Sequence, residues 1–169
     1  GLQNETAQVP TTAKIDFVNA LSQTGVHEIE VSAFVSPTWV PQLGDAEAVF
    51  KGISRKQNVI YSALVPNEKG LDRAMAARID RAAVFTAASE TFNQKNINTS
   101  IEGSIKRFIP VVNRAIKVKL PVRGYLSTAF WCAFEGKVAP QAVVDVATRL
   151  MDIGIEEVSI SDTIGKASP

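Results

Sequence analysis

The chain has 169 residues, of which 46% are hydrophobic and 21% charged, and its formal net charge is +1. This is the composition of an ordinary globular protein, and its basic residues are scattered instead of forming a run that could follow phosphates, so no nucleic acid is expected as a partner. One cysteine, Cys132, excludes an internal disulfide framework, and no stretch reaches the 18 or so apolar residues that cross a membrane.

Short β-branched runs alternate with amphipathic stretches, an order that favours repeated strand-helix units around a parallel sheet. In chain order the predicted elements are helix 12–24, strand 27–34, helix 45–54, strand 58–65, helix 69–78, strand 81–88, helix 101–118, strand 121–128, helix 140–152 and strand 156–162. A threonine of Pro10-Thr-Thr12 is predicted to cap the first helix, and Pro140 to open the last.

These units, at about 30 residues each, predict an α/β fold of the TIM (β/α)8 barrel class. Because a complete barrel needs about 250 residues, residues 1–169 are predicted to form one partial catalytic domain, an incomplete segment of about five central units. An open doubly wound sheet is the alternative, although the sequence has no Gly-x-Gly-x-x-Gly spacing of the usual dinucleotide fold.

The strand 27–34 carries carboxylates where packing alone would favour apolar residues. Period-two alternation predicts an apolar side of Ile29, Val31 and Ala33 and a polar side of Glu28, Glu30 and Ser32. In a barrel, Glu30 would then face the interior, where a carboxylate can position a cation or orient a substrate hydroxyl. The alternative is that Glu30 only pairs with a basic residue of a neighbouring strand.

Two other strands carry polar candidates. Arg123 lies on the strand 121–128 as a natural partner for Glu30, and it either has a structural role or holds an anionic substrate group. Asp162 and Thr163 follow the carboxyl end of the strand 156–162, which is where barrel active sites are built. A helix cap or a loop hydrogen bond is the alternative for both residues.

Three further features are interpreted less specifically. The segment 90–100 is predicted to be a polar loop that could grip a nucleotide-like tail, and the alternative is a simple helix entry capped by Ser100 or Thr99. His27 precedes its strand, away from a barrel's active face, and Cys132 is predicted to be a structural cysteine that is either packed or partly exposed. With one histidine and one cysteine, the chain offers few nitrogen and sulfur ligands for a metal.

Six motifs together resemble those of the hydroxymethylglutaryl-CoA lyase family, which are metal-dependent, aldolase-like TIM barrels. They are Gly1–Glu5, Glu30–Gln42, Ala88–Asn98, Val122–Tyr125, Phe134–Lys137 and Ser161–Gly165. The resemblance implies retro-Claisen cleavage of an acyl-CoA substrate, hydroxymethylglutaryl-CoA, into acetyl-CoA and acetoacetate, as in leucine degradation and ketone-body formation. It also implies Mg or Mn as a divalent cation, and a location in the cytoplasm of a bacterium or in the mitochondrial matrix of a eukaryote. A homodimer stays open.

Position by position, the resemblance implies that Glu30 and Asp162 are active-site acids. It implies positions near the metal, the acyl group or CoA for Gln3, Asn96, Arg123 and Thr163. The family's Arg-Asp pair, its His-x-His ligands, its ligand asparagine and its mobile cysteine loop have no counterpart in the sequence, so no metal ligand is assigned. The segment alone is therefore expected to hold metal poorly and to be inactive. The alternatives are a related Claisen-type condensing enzyme, such as an isopropylmalate or homocitrate synthase, and a non-catalytic fragment that binds CoA or a partner.

Overall fold

The computed structural model describes residues 2–167, which alternate between strands and helices much as predicted. The α-helices are α1 (Thr11–Leu21), α2 (Ala46–Gly52), α3 (Glu68–Ala76), α4 (Glu90–Ile97), α5 (Ile101–Lys117) and α6 (Pro140–Asp152). The strands are β1 (Glu28–Ala33), β2 (Ile60–Leu64), β3 (Arg81–Ala87), β4 (Val122–Ser127), β5 (Trp131–Cys132), β6 (Gly136–Lys137) and β7 (Glu157–Ile160). Short 3-10 helices cover Leu2–Asn4 and Pro41–Leu43.

Within this described range, a five-stranded sheet has the order β1-β2-β3-β4-β7, and its registered pairs β1/β2 and β4/β7 are parallel. A separate antiparallel hairpin joins β5 to β6. All five strands predicted from the sequence are therefore present, and the predicted parallel sheet is confirmed. The chain divides into two compact units, one ending at Ala82 and the other beginning at Ala83.

In the first unit, strand β1 contains an irregularity that simple alternation does not foresee. Glu30 is paired with Ser62, but the next paired residue is Ser32, opposite Ala63, so Val31 is an extra residue in the ladder. Paired residues of parallel strands point to the same side, and Ser32 therefore shares the side of Ala63 instead of the side of Glu30. The predicted sides are correct up to Glu30 and wrong for Ser32 and Ala33.

Tyr61 of β2 identifies the side of the sheet that faces helix α1. Its ring is buried, and its hydroxyl lies 2.9 Å from the hydroxyl of Ser22, which directly follows α1, and accepts a hydrogen bond from the backbone N–H of Lys56. Ile29 is paired with Tyr61 and therefore lies on the same helix-facing side. Because neighbouring residues of a strand point to opposite sides, Glu30 lies on the side away from α1.

A buried ion pair joins α1 to the turn before α2. The Lys14 ammonium, 8% exposed, lies 2.8 Å from an Asp45 carboxylate oxygen and donates to the Gln42 backbone carbonyl. Thr11 does not cap α1 as predicted, because its hydroxyl donates to the other Asp45 oxygen at 2.7 Å, and Pro10 occupies the N-cap position. Burial alone would raise the pKa of Asp45, but the hydrogen bonds from Lys14 and Thr11 and the Lys14 charge lower it.

In the second unit, the apolar face of the long helix α5 supplies much of the core. Its buried residues recur at helical spacing and are Ile101, Ser104, Ile105, Phe108, Val111, Val112 and Ala115. Ser100 caps this helix by accepting from the backbone N–H of Gly103, which agrees with the alternative interpretation of a helix entry capped by Ser100 or Thr99. Helix α6 packs closely on strand β4, since a Cβ at Gly124 would lie 3.3 Å from Leu150.

A buried polar group ties helices α4 and α5 to strand β3. The Thr86 hydroxyl lies 2.8 Å from that of Ser104 and 3.3 Å from the side-chain oxygen of Asn93. All three residues are buried, and the Ser104 hydroxyl also donates to the Ile101 carbonyl. These hydrogen bonds fix the inward faces of both helices, because buried polar groups are costly when unpaired.

We expect Asp45→Asn to destabilise the fold, because it leaves the buried Lys14 ammonium facing a neutral amide. The free energy of unfolding, measured in urea, should fall by about 1–3 kcal/mol, the usual loss for a hydrogen bond to a charged group. Glu102→Gln is the control, since Glu102 and its partners Lys106 and Arg149 all lie at the surface, and it should cost less than about 1 kcal/mol. Equal losses in the two variants would contradict this role for Asp45.

Candidate functional site

In the first unit the structure places two of the residues that the family motifs single out. Glu30 is exposed on β1, on the side of the sheet away from α1. Gln3 is exposed in the 3-10 helix Leu2–Asn4 near the start of the chain. Both side chains are therefore accessible, as a role in substrate binding or catalysis requires.

Gln42, the last residue of the motif Glu30–Gln42, holds the segment that follows Gln3. Its side-chain nitrogen donates to the carbonyls of Ala7, at 2.6 Å, and Glu5, at 3.3 Å. Its side-chain oxygen accepts from the backbone N–H of Val9. The motif loop and the leading segment of the chain are therefore fixed to each other, a connection that the sequence analysis missed because it joins positions more than thirty residues apart.

Glu28, the other carboxylate on the polar side of β1, forms an ion pair. One of its carboxylate oxygens lies 2.8 Å from a guanidinium nitrogen of Arg81, the first residue of β3, and both side chains are largely buried. Such pairing with an arginine of the sheet was the alternative role considered for Glu30. At Glu28 it accounts for a carboxylate whose burial would otherwise be costly.

In the second unit, Asp162 organises the loop that follows strand β7. One carboxylate oxygen accepts from the backbone N–H of Lys166 at 3.0 Å, and the other accepts from that of Ala167 at 2.8 Å. These two hydrogen bonds, that of Ala167 first, lower the pKa of Asp162. The carboxylate is therefore ionised at neutral pH and held in a defined orientation, in the loop-binding role that the sequence analysis kept as its alternative.

Thr163 joins the loops that follow strands β4 and β7. Its hydroxyl accepts a hydrogen bond from the backbone N–H of Thr128 at 2.7 Å. Thr128 has a left-handed backbone with φ of 56°, an unfavourable conformation for a β-branched residue that costs on the order of 1–3 kcal/mol. The contact with Thr163 helps to maintain this conformation at the carboxyl ends of the two strands.

Arg123 lies toward the other end of the same two strands. Its Nη2 is 2.9 Å and its Nε 3.0 Å from a carboxylate oxygen of Glu157, its partner in the register of β4 and β7. Glu157 begins β7, whereas Asp162 follows the carboxyl end of that strand. The pairing with Glu157 favours the structural of the two roles considered for Arg123.

Asn96 lies on a helix. The prediction of a polar loop over residues 90–100 is therefore wrong for most of that segment. Residues Glu90–Ile97 form α4, and Ser89 caps it by accepting from the backbone N–H of Phe92 at 3.0 Å. The segment lacks the apolar periodicity that predicts helices. The local signals that could have identified it are Ser89 before the helix and Asn98, with its left-handed backbone, after it. Asn96 is exposed in the last turn of α4.

The remaining candidates of the sequence analysis are His27 and Cys132. His27 is exposed immediately before β1, and Cys132 is buried, as predicted for a packed thiol. Among residues 2–167, no group of three or more His, Cys, Asp or Glu side chains is arranged to hold a metal ion. Over the same range, no helix is both long and apolar enough to span a membrane.

Comparison with known proteins identifies the family. The HMGL-like family model matches residues 1–169, so the chain belongs to this family of TIM-barrel proteins. The predicted fold class and the predicted family resemblance are thereby confirmed. The five parallel strands form a segment of the eight-stranded barrel.

Three curated relatives, two from a mammal and one from a bacterium, are named as hydroxymethylglutaryl-CoA lyases. Over all 169 residues the chain is 50% identical to the cytoplasmic 3-hydroxy-3-methylglutaryl-CoA lyase of Rattus norvegicus, and it covers 49% of that protein. It is 46% identical to the mitochondrial hydroxymethylglutaryl-CoA lyase of the same species and covers 52% of that protein. It is 47% identical to a hydroxymethylglutaryl-CoA lyase of Bacillus subtilis and covers 56% of it. The chain thus spans about half the length of the curated relatives it matches.

Solved structures show the same similarity. The HMG-CoA lyase of Brucella melitensis matches 99% of this chain with a TM-score of 0.96 and 49% identity, and the chain covers 59% of that protein. An HMG-CoA lyase of Acinetobacter baumannii, in complex with coenzyme A and 3-methylmalate, matches 99% with a TM-score of 0.94 and 38% identity, and the chain covers 55% of it.

The hydrogen bonds to Asp162 predict a specific response to acid. Because its folded-state pKa is lowered from 3.8, the ionised carboxylate stabilises the loop above that value, and this contribution is lost as the pH falls through the folded-state pKa. In NMR titrations, the amide protons of Lys166 and Ala167 should shift with a midpoint below 3.8, and Asp162→Asn should abolish this titration. A midpoint above 3.8 would contradict the assignment.

Proposed function

We propose that the complete protein is a hydroxymethylglutaryl-CoA lyase, which cleaves an acyl-CoA substrate into acetyl-CoA and acetoacetate. The observation that carries the proposal is the identity of 46% to 50% to lyases over the full length of this chain. It is supported by the coenzyme A complex of a similar structure. The chain would serve leucine breakdown or ketone-body formation, in the cytoplasm of a bacterium or in the mitochondrial matrix of a eukaryote.

In the proposed reaction, a base takes the proton of the substrate's tertiary hydroxyl and the adjacent carbon-carbon bond breaks. The bonding electrons pass to the acetyl-CoA fragment as an enolate, which is then protonated, and the remaining fragment becomes acetoacetate. We propose Glu30 and Asp162 as acids of this site. A carboxylate with a lowered pKa is a weak base, so Asp162 is better suited to accepting a hydrogen bond from the hydroxyl than to keeping its proton.

We propose further roles in binding for the other motif residues. Gln3, Asn96 and Thr163 would lie near the metal, the acyl group or CoA. Arg123 would support the site from its ion pair with Glu157. Each assignment follows the family motif at that position, and each side chain is accessible or hydrogen-bonded in a way that is compatible with the role.

A divalent cation, Mg or Mn, is proposed for the complete protein. The described residues do not fit such a site by themselves, because residues 2–167 bring together no group of three or more suitable ligands. A homodimer is a compatible assembly.

The proposed activity predicts equal yields of two products. The complete protein, incubated with hydroxymethylglutaryl-CoA and Mg or Mn, should release acetoacetate and acetyl-CoA in equal amounts, and a chelator should stop the reaction until the cation is restored. Both products can be measured by coupled enzyme assays. Condensation of acetyl-CoA with a 2-oxo acid, in place of cleavage, would contradict the proposal and indicate a synthase.

The proposed roles of the two acids predict large losses of turnover. In the complete protein, Glu30→Ala and Asp162→Ala should each lower kcat by more than about tenfold, equivalent to about 1.4 kcal/mol. Glu30→Gln tests whether the shape of the Glu30 side chain, without its charge, is enough for turnover. The control is Glu156→Ala, which removes an exposed glutamate before β7 and should leave kcat unchanged. An unchanged kcat for either acid would reduce that residue to a part of the scaffold.

A further inference from the structure

The hairpin formed by β5 and β6 holds the first turn of helix α4. The first N–H groups of any helix lack partners inside it and need acceptors from elsewhere. In α4 the backbone N–H of Phe92 donates to the capping Ser89, and that of Thr91 donates to a carboxylate oxygen of Glu135 at 2.7 Å. Glu135 comes from the hairpin, so it attaches the hairpin to the helix.

The charge of Glu135 suits this position. Hydrogen bonds from Thr91, and then from Ser89, lower the pKa of Glu135, so the carboxylate is ionised at neutral pH. A negative charge beside a helix N-terminus is stabilising, because the N–H groups there carry a partial positive charge. The attachment therefore has both a hydrogen bond and an electrostatic contribution.

Two other residues of the hairpin contact the same helix. The sulfur of Cys132 lies 3.0 Å from the Ser89 hydroxyl and accepts from the backbone N–H of Phe134. The Phe134 ring lies 6.2 Å from that of Phe92, and the Lys95 ammonium lies 4.1 Å from its centre. The hairpin thus contacts the cap, the first turn and the last turn of α4.

The last turn of α4 presents hydrogen-bond donors and a positive charge to solvent. Its exposed residues are Gln94, Lys95 and Asn96, and this turn contains no carboxylate. Such a surface matches the phosphates and the base of a nucleotide better than the reacting carbons of a thioester, which require acid and base groups. Any tilt of this short helix would displace the whole surface, because the helix moves as a rigid rod of about 12 Å.

We infer that Glu135 is a positioning residue, which holds helix α4 so that its last turn binds the nucleotide end of the acyl-CoA substrate. The inference rests on the proposed function and adds to it a residue that none of the predicted site positions includes. Glu135 acts through α4 and does not touch the reacting atoms. Its loss should therefore weaken the binding of the substrate's nucleotide end and leave the chemical step intact.

The test compares two substrates in the complete protein. Hydroxymethylglutaryl-CoA carries the nucleotide end, and hydroxymethylglutaryl-pantetheine has the same reacting group without it. For Glu135→Ala we expect KM for the CoA substrate to rise about fivefold or more with kcat within about twofold, and kinetics with the pantetheine substrate to match the wild type. Glu135→Gln keeps an acceptor for Thr91 and should recover most of the loss.

The controls separate positioning from general damage. Glu156→Ala removes an exposed glutamate of the same unit and should match the wild type with both substrates. If Glu135→Ala is insoluble, Phe134→Leu, which removes the ring contacts with Phe92 and Lys95, makes the same comparison. Equal losses with both substrates, or no loss with either, would overturn the inference. An inactive wild-type protein would instead contradict the proposed function.

Discussion

Backbone N–H groups that have no partner within a strand or a helix are the constraint on which the described loops depend. A buried group of this kind costs about 1–3 kcal/mol when it has no acceptor, and one at the surface costs less because water can serve as its acceptor. In this chain, side chains distant in sequence supply acceptors, as Glu135 does for Thr91, Thr163 for Thr128 and Gln42 for Val9. Asp162 does the same within its own loop. The loops after the strands are therefore fixed by a few polar side chains.

This constraint connects stability with the proposed activity. Asp162 and Thr163, which the family motif marks as site residues, already serve as hydrogen-bond acceptors for the backbone. The structural and catalytic interpretations of these residues are compatible. A carboxylate that is to accept a hydrogen bond from the substrate in a defined orientation needs other groups to hold it in that orientation. Backbone donors hold Asp162 in this way and keep it ionised.

Elements with a strong local pattern could be predicted from the sequence, whereas features that depend on distant partners could not. The strands predicted at 27–34 and 121–128 formed as β1 and β4, because alternation and β-branched residues are local signals. Helix α4 was missed because it has no apolar stripe, and because its hydrogen bond with Glu135 joins residues that are 44 positions apart. The extra residue Val31 was missed since alternation carries no information about register. Six motifs identified the family and its candidate residues, but not the hairpin that supports α4.

The most direct test of the account is a crystal structure of the complete protein with a divalent cation and an unreactive analogue of hydroxymethylglutaryl-CoA. We predict that the Asp162 carboxylate keeps its hydrogen bonds from Lys166 and Ala167. We also predict that it lies within hydrogen-bond distance, about 3 Å, of the substrate or of another ligand of the cation. A ligand bound on the helix-facing side of the sheet, or an Asp162 loop that releases both backbone N–H groups to bind it, would contradict the account.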